Sequence, residues 1–215
     1  MALMLAVTTA CEIKPQKTYD YEPPADKVQE RDSVIFGICG GQSTQNVLQI
    51  IKDNEDTLFF NVEEARKKGM VMADYHRGEE IYVLPDSTGK VALMTINKDN
   101  LLGEWVMPSP YDGSTPSGVI IKEGGEAESF GQQGDIIYKA WRIYNGFLQL
   151  VETRDDGTDL YYTQTYDIVR MTRDSLYLRN KNEDESFEFG RYVPEPELDL
   201  GLEFDEDDSD NYGLY

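Results

Sequence analysis

Between residues 33 and 192 the chain is a succession of short runs in which apolar and polar residues alternate, the period of a strand with one buried face. In the first half, runs at 33–39, 46–52, 57–61, 80–84 and 90–97 read as strands. They are separated by turn clusters such as Asp53-Asn54-Glu55-Asp56 and Pro85-Asp86-Ser87-Thr88-Gly89. Residues 62–68 break the alternation and predict one short helix ended by Gly69, with Lys67 and Lys68 suitably placed at its C-terminal end. Five strands with a helix after the third outline a small OB-like barrel over residues 33–99.

The second half predicts eight strands, at 102–107, 118–122, 126–130, 136–144, 147–153, 160–171, 175–179 and 186–192. Gly124-Gly125, Asn145-Gly146 and Asp156-Gly157 join some of them, and the last two are dipeptides suited to type I′ hairpins. Eight hairpin-linked strands can close up-and-down and remove both sheet edges. The expected fold is therefore all-β: a five-stranded domain over 33–99 and an eight-stranded antiparallel barrel over 100–193, with polar Asn97-Lys98-Asp99-Asn100 at the handover.

Alternation also assigns faces. Gly103, Trp105 and Met107 share one side of their strand; Ile137, Lys139, Trp141 and Ile143 share another; Phe187, Phe189 and Arg191 share a third. The candidates for the barrel interior, or for contact with a ligand, are thus Trp105, Met107, Lys139, Trp141, Ile143, Phe187, Phe189 and Arg191, with Lys139 near a mouth. Strands of five to seven residues make a shallow barrel, and four large aromatic side chains compete for its interior, which argues against a large apolar calyx.

The second region resembles the short lipocalin-like family of Bacteroidota lipoproteins, whose members pair two tryptophans with characteristic strand phrases. Those phrases are Leu102-Gly103-Glu104-Trp105-Val106-Met107-Pro108, Gly118-Val119-Ile120-Ile121, Gly125-Glu126-Ala127-Glu128-Ser129, Tyr138-Lys139-Ala140-Trp141, Tyr166 followed by Ile168, and Asp174-Ser175-Leu176-Tyr177-Leu178. The resemblance covers about residues 101–192. It implies a barrel and a cell-envelope lipoprotein, and it implies no particular ligand. In such barrels a basic side chain of the final strand covers the tryptophan of the opening Gly-x-Trp. Arg191 matches by position and parity and is expected over Trp105, a cation–π contact worth about 0.5–2 kcal/mol.

The ends of the chain suggest where it resides. Leu5-Ala6-Val7-Thr8-Thr9-Ala10 leads into Cys11 much as a bacterial lipobox does, so residues 1–11 read as the remnant of a lipoprotein signal, with Cys11 lipidated. Residues 12–32 are polar and rich in Lys, Glu, Asp and Pro, a tether reaching about 25 Å if flexible. No later run approaches the 18 apolar residues of a transmembrane helix. The expected location is the bacterial envelope, most naturally the outer membrane, through a lipid anchor.

Charge and chemistry narrow the function further. The formal net charge is −21, and the segment 194–215 holds nine Asp and Glu with no Lys or Arg, a self-repelling tail. An acidic body makes nucleic acid a poor partner despite the OB-like outline. His76 is the only histidine and sits in a polar turn; no nucleophile elbow or Cys-His zinc spacing is present, and Asp205, Asp207 and Asp210 fail the EF-hand pattern. Cys39, beside Ile38 in a strand, reads as a small core residue. No catalytic residue, metal or cofactor is expected. Two functions fit: capture of a small amphipathic molecule at the barrel mouth, or an interaction module whose filled barrel presents loops to an envelope or host protein. An apolar pocket of about 300 Å³ or more would favour the first and a packed interior the second.

Overall fold

The computed structural model describes residues 31–109, 113, 115–131, 136–154 and 160–194. The signal remnant 1–11 with Cys11, nearly all of the 12–32 tether, the Asp156-Gly157 turn and the acidic tail beyond Pro194 lie outside the described residues. The compact unit begins at Asp32. Asp32 is part of the fold: its Oδ1 accepts from the backbone N–H groups of Val34 and Asn145 at 3.1 and 3.0 Å, while Ser33 N–H donates to Asn145 Oδ1 at 2.8 Å.

The first region contains β1 (Ile35–Cys39), β2 (Val47–Ile51), β3 (Thr57–Asn61), α1 (Glu63–Lys67), β4 (Val71–Met72), β5 (Glu80–Pro85), β6 (Ala92–Asn97) and α2 (Lys98–Leu101). Its sheet order is β3-β2-β1-β5-β6-β4. A parallel bridge from Asn61 to Val91 brings the end of β3 to the approach of β6, which nearly closes five of the strands into the OB-like ring. Two elements depart from the sequence reading. β4 is too short to show alternation and exists because β6 offers a free edge, to which it pairs in parallel. Helix α2 occupies the expected domain boundary, started by Asn97, whose side chain accepts from the Asn100 N–H. In α1, Glu63 and Glu64 lie in the first turn and pair with Lys67, and Ala65 is the buried residue.

The second region contains β7 (Gly103–Pro108), β8 (Pro116–Ile121), β9 (Ala127–Phe130), β10 (Ile136–Tyr144), β11 (Phe147–Arg154), β12 (Tyr161–Met171), β13 (Ser175–Asn180) and β14 (Ser186–Arg191). All neighbours are antiparallel, in the order β10-β11-β12-β13-β14-β7-β8-β9. The last strand lies beside the first, with Arg191 opposite Trp105, and an antiparallel bridge from Glu126 to Ala140 brings the outer strands together into a nearly closed barrel. Asn145 and Gly146 turn the β10–β11 hairpin with positive φ of 49° and 81°, as a type I′ turn requires.

The apolar interior forms two clusters. Cys39, Leu48, Ile50, Phe60, Ile81 and Val83 fill much of the OB-like ring. The larger cluster fills the eight-stranded barrel around Trp105, Trp141, Leu148, Leu150 and Ile168, and it also takes in Met72, Ala73 and Ile96 from the first region. The halves meet in polar contacts too. Ala73 N–H donates to Met171 C=O at 3.0 Å, and the Lys98 ammonium pairs with Glu80 of β5 and with Glu123 of the turn after β8.

Candidate ligand-binding cavity

The two ends of the eight-stranded barrel differ. At one end Trp105 is fully buried, its indole N–H donates to Leu101 C=O at 2.7 Å, and Arg191 lies across the ring at 4.3 Å from the centroid. The guanidinium also donates to the carbonyls of Leu102, Asn100 and Arg173, so it ties β14 to the approach of β7. Trp141 is buried as well, its N–H held by Lys122 C=O at 2.7 Å. This end is plugged.

The opposite end, where β7, β11 and β13 finish and β8, β10, β12 and β14 begin, contains a cavity of about 200 Å³. Apolar side chains line its body, among them Met107, Ile136, Leu150, Leu178, Phe187 and Phe189. Polar groups converge on it: Ser117, Tyr138, Glu152, Gln164, Tyr166 and Asn180, with Glu183 and Glu185 beside them on the turn between β13 and β14. Strand register explains the convergence, because Tyr138 stands directly opposite Glu152 and Tyr166 opposite Asn180.

Burial sets the electrostatics of this site. It pushes Glu152 above the ordinary carboxyl range, and the Gln164 amide, donating to Oε1 at 3.3 Å, only partly offsets it. Burial also pushes the Tyr138 hydroxyl up to about 12, helped by the charge of Glu152 and opposed by a hydrogen bond with Tyr166. Tyr166 is raised further, by burial and then by Tyr138, Glu152, Glu183 and Glu185. Among the described residues the lining holds three carboxylates and no basic side chain. Ser117 Oγ is buried there and has no hydrogen-bond partner among the described residues.

The sequence-derived interior set divides accordingly. Met107, Phe187 and Phe189 line the cavity, whereas Trp105, Trp141 and Ile143 pack in the barrel core away from it, and Arg191 belongs to the plug. Lys139 does not point inward. The register between β10 and β11 slips between Tyr138 and Ala140, a bulge that exposes Lys139 and brings Tyr138 onto the inner face with Trp141 and Ile143. Ile137 correspondingly leaves the face shared by Trp141 and Ile143. Simple parity could have found other polar members. Glu152 follows Leu148 and Leu150 on the inner face of β11, Ser117 precedes Val119 and Ile121 on that of β8, and Asn180 follows Leu176 and Leu178 on that of β13.

Elsewhere, Glu80, Asp99 and Glu123 bring carboxylates close enough for a cation, but the Lys98 ammonium already bridges Glu80 and Glu123. His76 is exposed on its turn, with Nδ1 3.5 Å from Glu79.

Residues 97–192 match the family described as lipocalin-like. A lipocalin-like protein from Bacteroides thetaiotaomicron, known from its crystal structure, is 28% identical over 43% of this chain and 97% of its own, with a TM-score of 0.38. The chain has no match among curated proteins. The lipocalin-like match begins at Asn97, the N-cap of α2, and the OB-like region before it lies outside the match.

Proposed function

We propose that this protein is a non-enzymatic lipoprotein of the bacterial cell envelope that captures a small amphipathic molecule in the cavity of its lipocalin-like barrel. The observation that carries the reading is the cavity itself: an apolar body with convergent polar groups at one end of a barrel whose other end is plugged. Its 200 Å³ falls below the roughly 300 Å³ that would favour capture on size alone, so the reading rests on the polar groups that converge on the cavity, and the occupant is compact. The envelope location rests on the apolar run into Cys11 and the polar stretch after it.

Capture is tested by titrating 1-hexanol, an uncharged amphiphile, into the protein and following amide resonances. The shifts should concentrate at Leu150, Leu178 and Phe189, and Met107→Trp should abolish them by filling the space. Anchoring is tested separately: Cys11→Ala should move the protein from membranes to the soluble fraction and stop labelled palmitate from entering it.

An interaction module is the second reading, favoured by the modest cavity and by the exposure of Leu160, Tyr161, Tyr162 and Val169 on and beside β12. Hexanol shifts scattered over the surface, with none in the cavity, would support it.

A further inference from the structure

We infer that the molecule captured in the barrel is a small organic cation, a protonated amine on an apolar body, with its nitrogen at Glu152 and its body against Leu150, Leu178, Phe187 and Phe189. The inference rests on the capture reading and adds the charge of the ligand.

Three observations converge. Glu152 is 5% exposed, and among the described residues its one hydrogen-bond partner is the Gln164 amide. A buried carboxylate so lightly compensated is costly, and a cation that enters with it restores the missing partner. Among the described residues the other charged side chains of the lining are Glu183 and Glu185, while Arg154, the one basic group that acts on Glu152, is exposed over the Tyr162 ring and outside the lining, so the lining favours an arriving cation over an anion. Ser117 Oγ, buried and unpartnered in the wall, and the hydroxyls of Tyr138 and Tyr166 supply oxygens that an ammonium can donate to. A bare metal ion fits less well. Hard cations take six or more oxygens, whereas more than half of this lining is aliphatic or aromatic. An ammonium needs few acceptors and brings its own apolar surface.

The experiment titrates the full chain, under identical salt, with hexylamine, 1-hexanol and hexanoate, three probes of one chain length and different charge. Binding is read from amide shifts at Leu150, Leu178 and Phe189, so diffuse attraction of amine to an acidic surface is not counted. Hexylamine should bind at least about tenfold more tightly than hexanol, and hexanoate more weakly than either. Glu152→Gln should bring hexylamine to the level of hexanol and leave hexanol unchanged. Glu183→Gln with Glu185→Gln, both at exposed positions, should weaken the amine several-fold, and this pair decides if Glu152→Gln fails to fold. Equal affinity of amine and alcohol, or tighter binding of hexanoate, overturns the inference while leaving capture standing. Failure of all three probes to shift the cavity overturns both.

Discussion

The guanidinium of Arg191 lies over the Trp105 ring, 4.3 Å from its centroid, and one of its nitrogens occupies the space that a Cβ would need on Gly103. Gly103 is therefore required twice: its φ of +128° is one that side-chain-bearing residues rarely adopt, and its bare α-carbon admits the cation. The Gly-x-Trp at the start of the barrel and the arginine at its end form one structural unit, assembled when the last strand pairs with the first.

Arg191→Ala should destabilise the barrel by about 2–3 kcal/mol, since it removes the ring contact and the charged donors to Leu102, Asn100 and Arg173. Trp105 emission should change in the native state. Arg179→Ala removes only an exposed pair with Asp167 and should stay within about 0.5 kcal/mol of the parent. Urea unfolding followed by fluorescence checks both, and equal effects of the two variants would contradict the plug.

Gly103→Ala should cost about 2 kcal/mol or more through strain and displacement of Arg191. In the Arg191→Ala background the steric part disappears, so the cost should shrink to the backbone part. A double-mutant cycle on urea midpoints reads this coupling, and strict additivity would show that the two residues act independently.

Glu152 gives the barrel a pH signature. Its neighbours are Tyr138, Arg154, Gln164, Tyr166 and Glu183, and burial dominates among them, so the carboxyl holds its proton more firmly folded than unfolded. Stability from this group is therefore lost as pH rises from about 4.5 through the raised folded value. Glu152→Gln keeps an acceptor for Gln164 and removes the ionisation. The variant should be at least as stable as the parent at pH 7 and should show a flatter stability profile between pH 4 and 7; an unchanged profile would mean that the carboxyl is well solvated.

A fragment of residues 100–194 loses Met72, Ala73 and Ile96 from the cluster around Trp105, and Lys98 from its bridge to Glu123. Its urea midpoint should fall below that of the intact chain by an amount worth more than about 1 kcal/mol. In the intact chain, tryptophan fluorescence and far-ultraviolet circular dichroism should report one coincident transition. An unchanged midpoint for the fragment would show that the shared contacts contribute little.

Local pattern was enough for the elements that depend on local physics. Alternation placed the eight strands of the barrel within two residues of their observed ends, Asn145-Gly146 specified its hairpin, and parity singled out Arg191 as the basic residue that the lipocalin-like resemblance expects over Trp105. The tertiary structure decided the rest. β4 exists only because β6 presents an edge, and the bulge at Lys139 arises from the pairing of β10 with β11, which shifts the inward face by one residue and turns Tyr138 inward. Glu152 carries the inward parity in its own strand, but its meaning depends on which residues surround it. Tyr138, Gln164, Tyr166 and the acidic turn meet it only after five strands have closed, and burial by that closure, which no local sequence window contains, makes a periodic glutamate a candidate binding group.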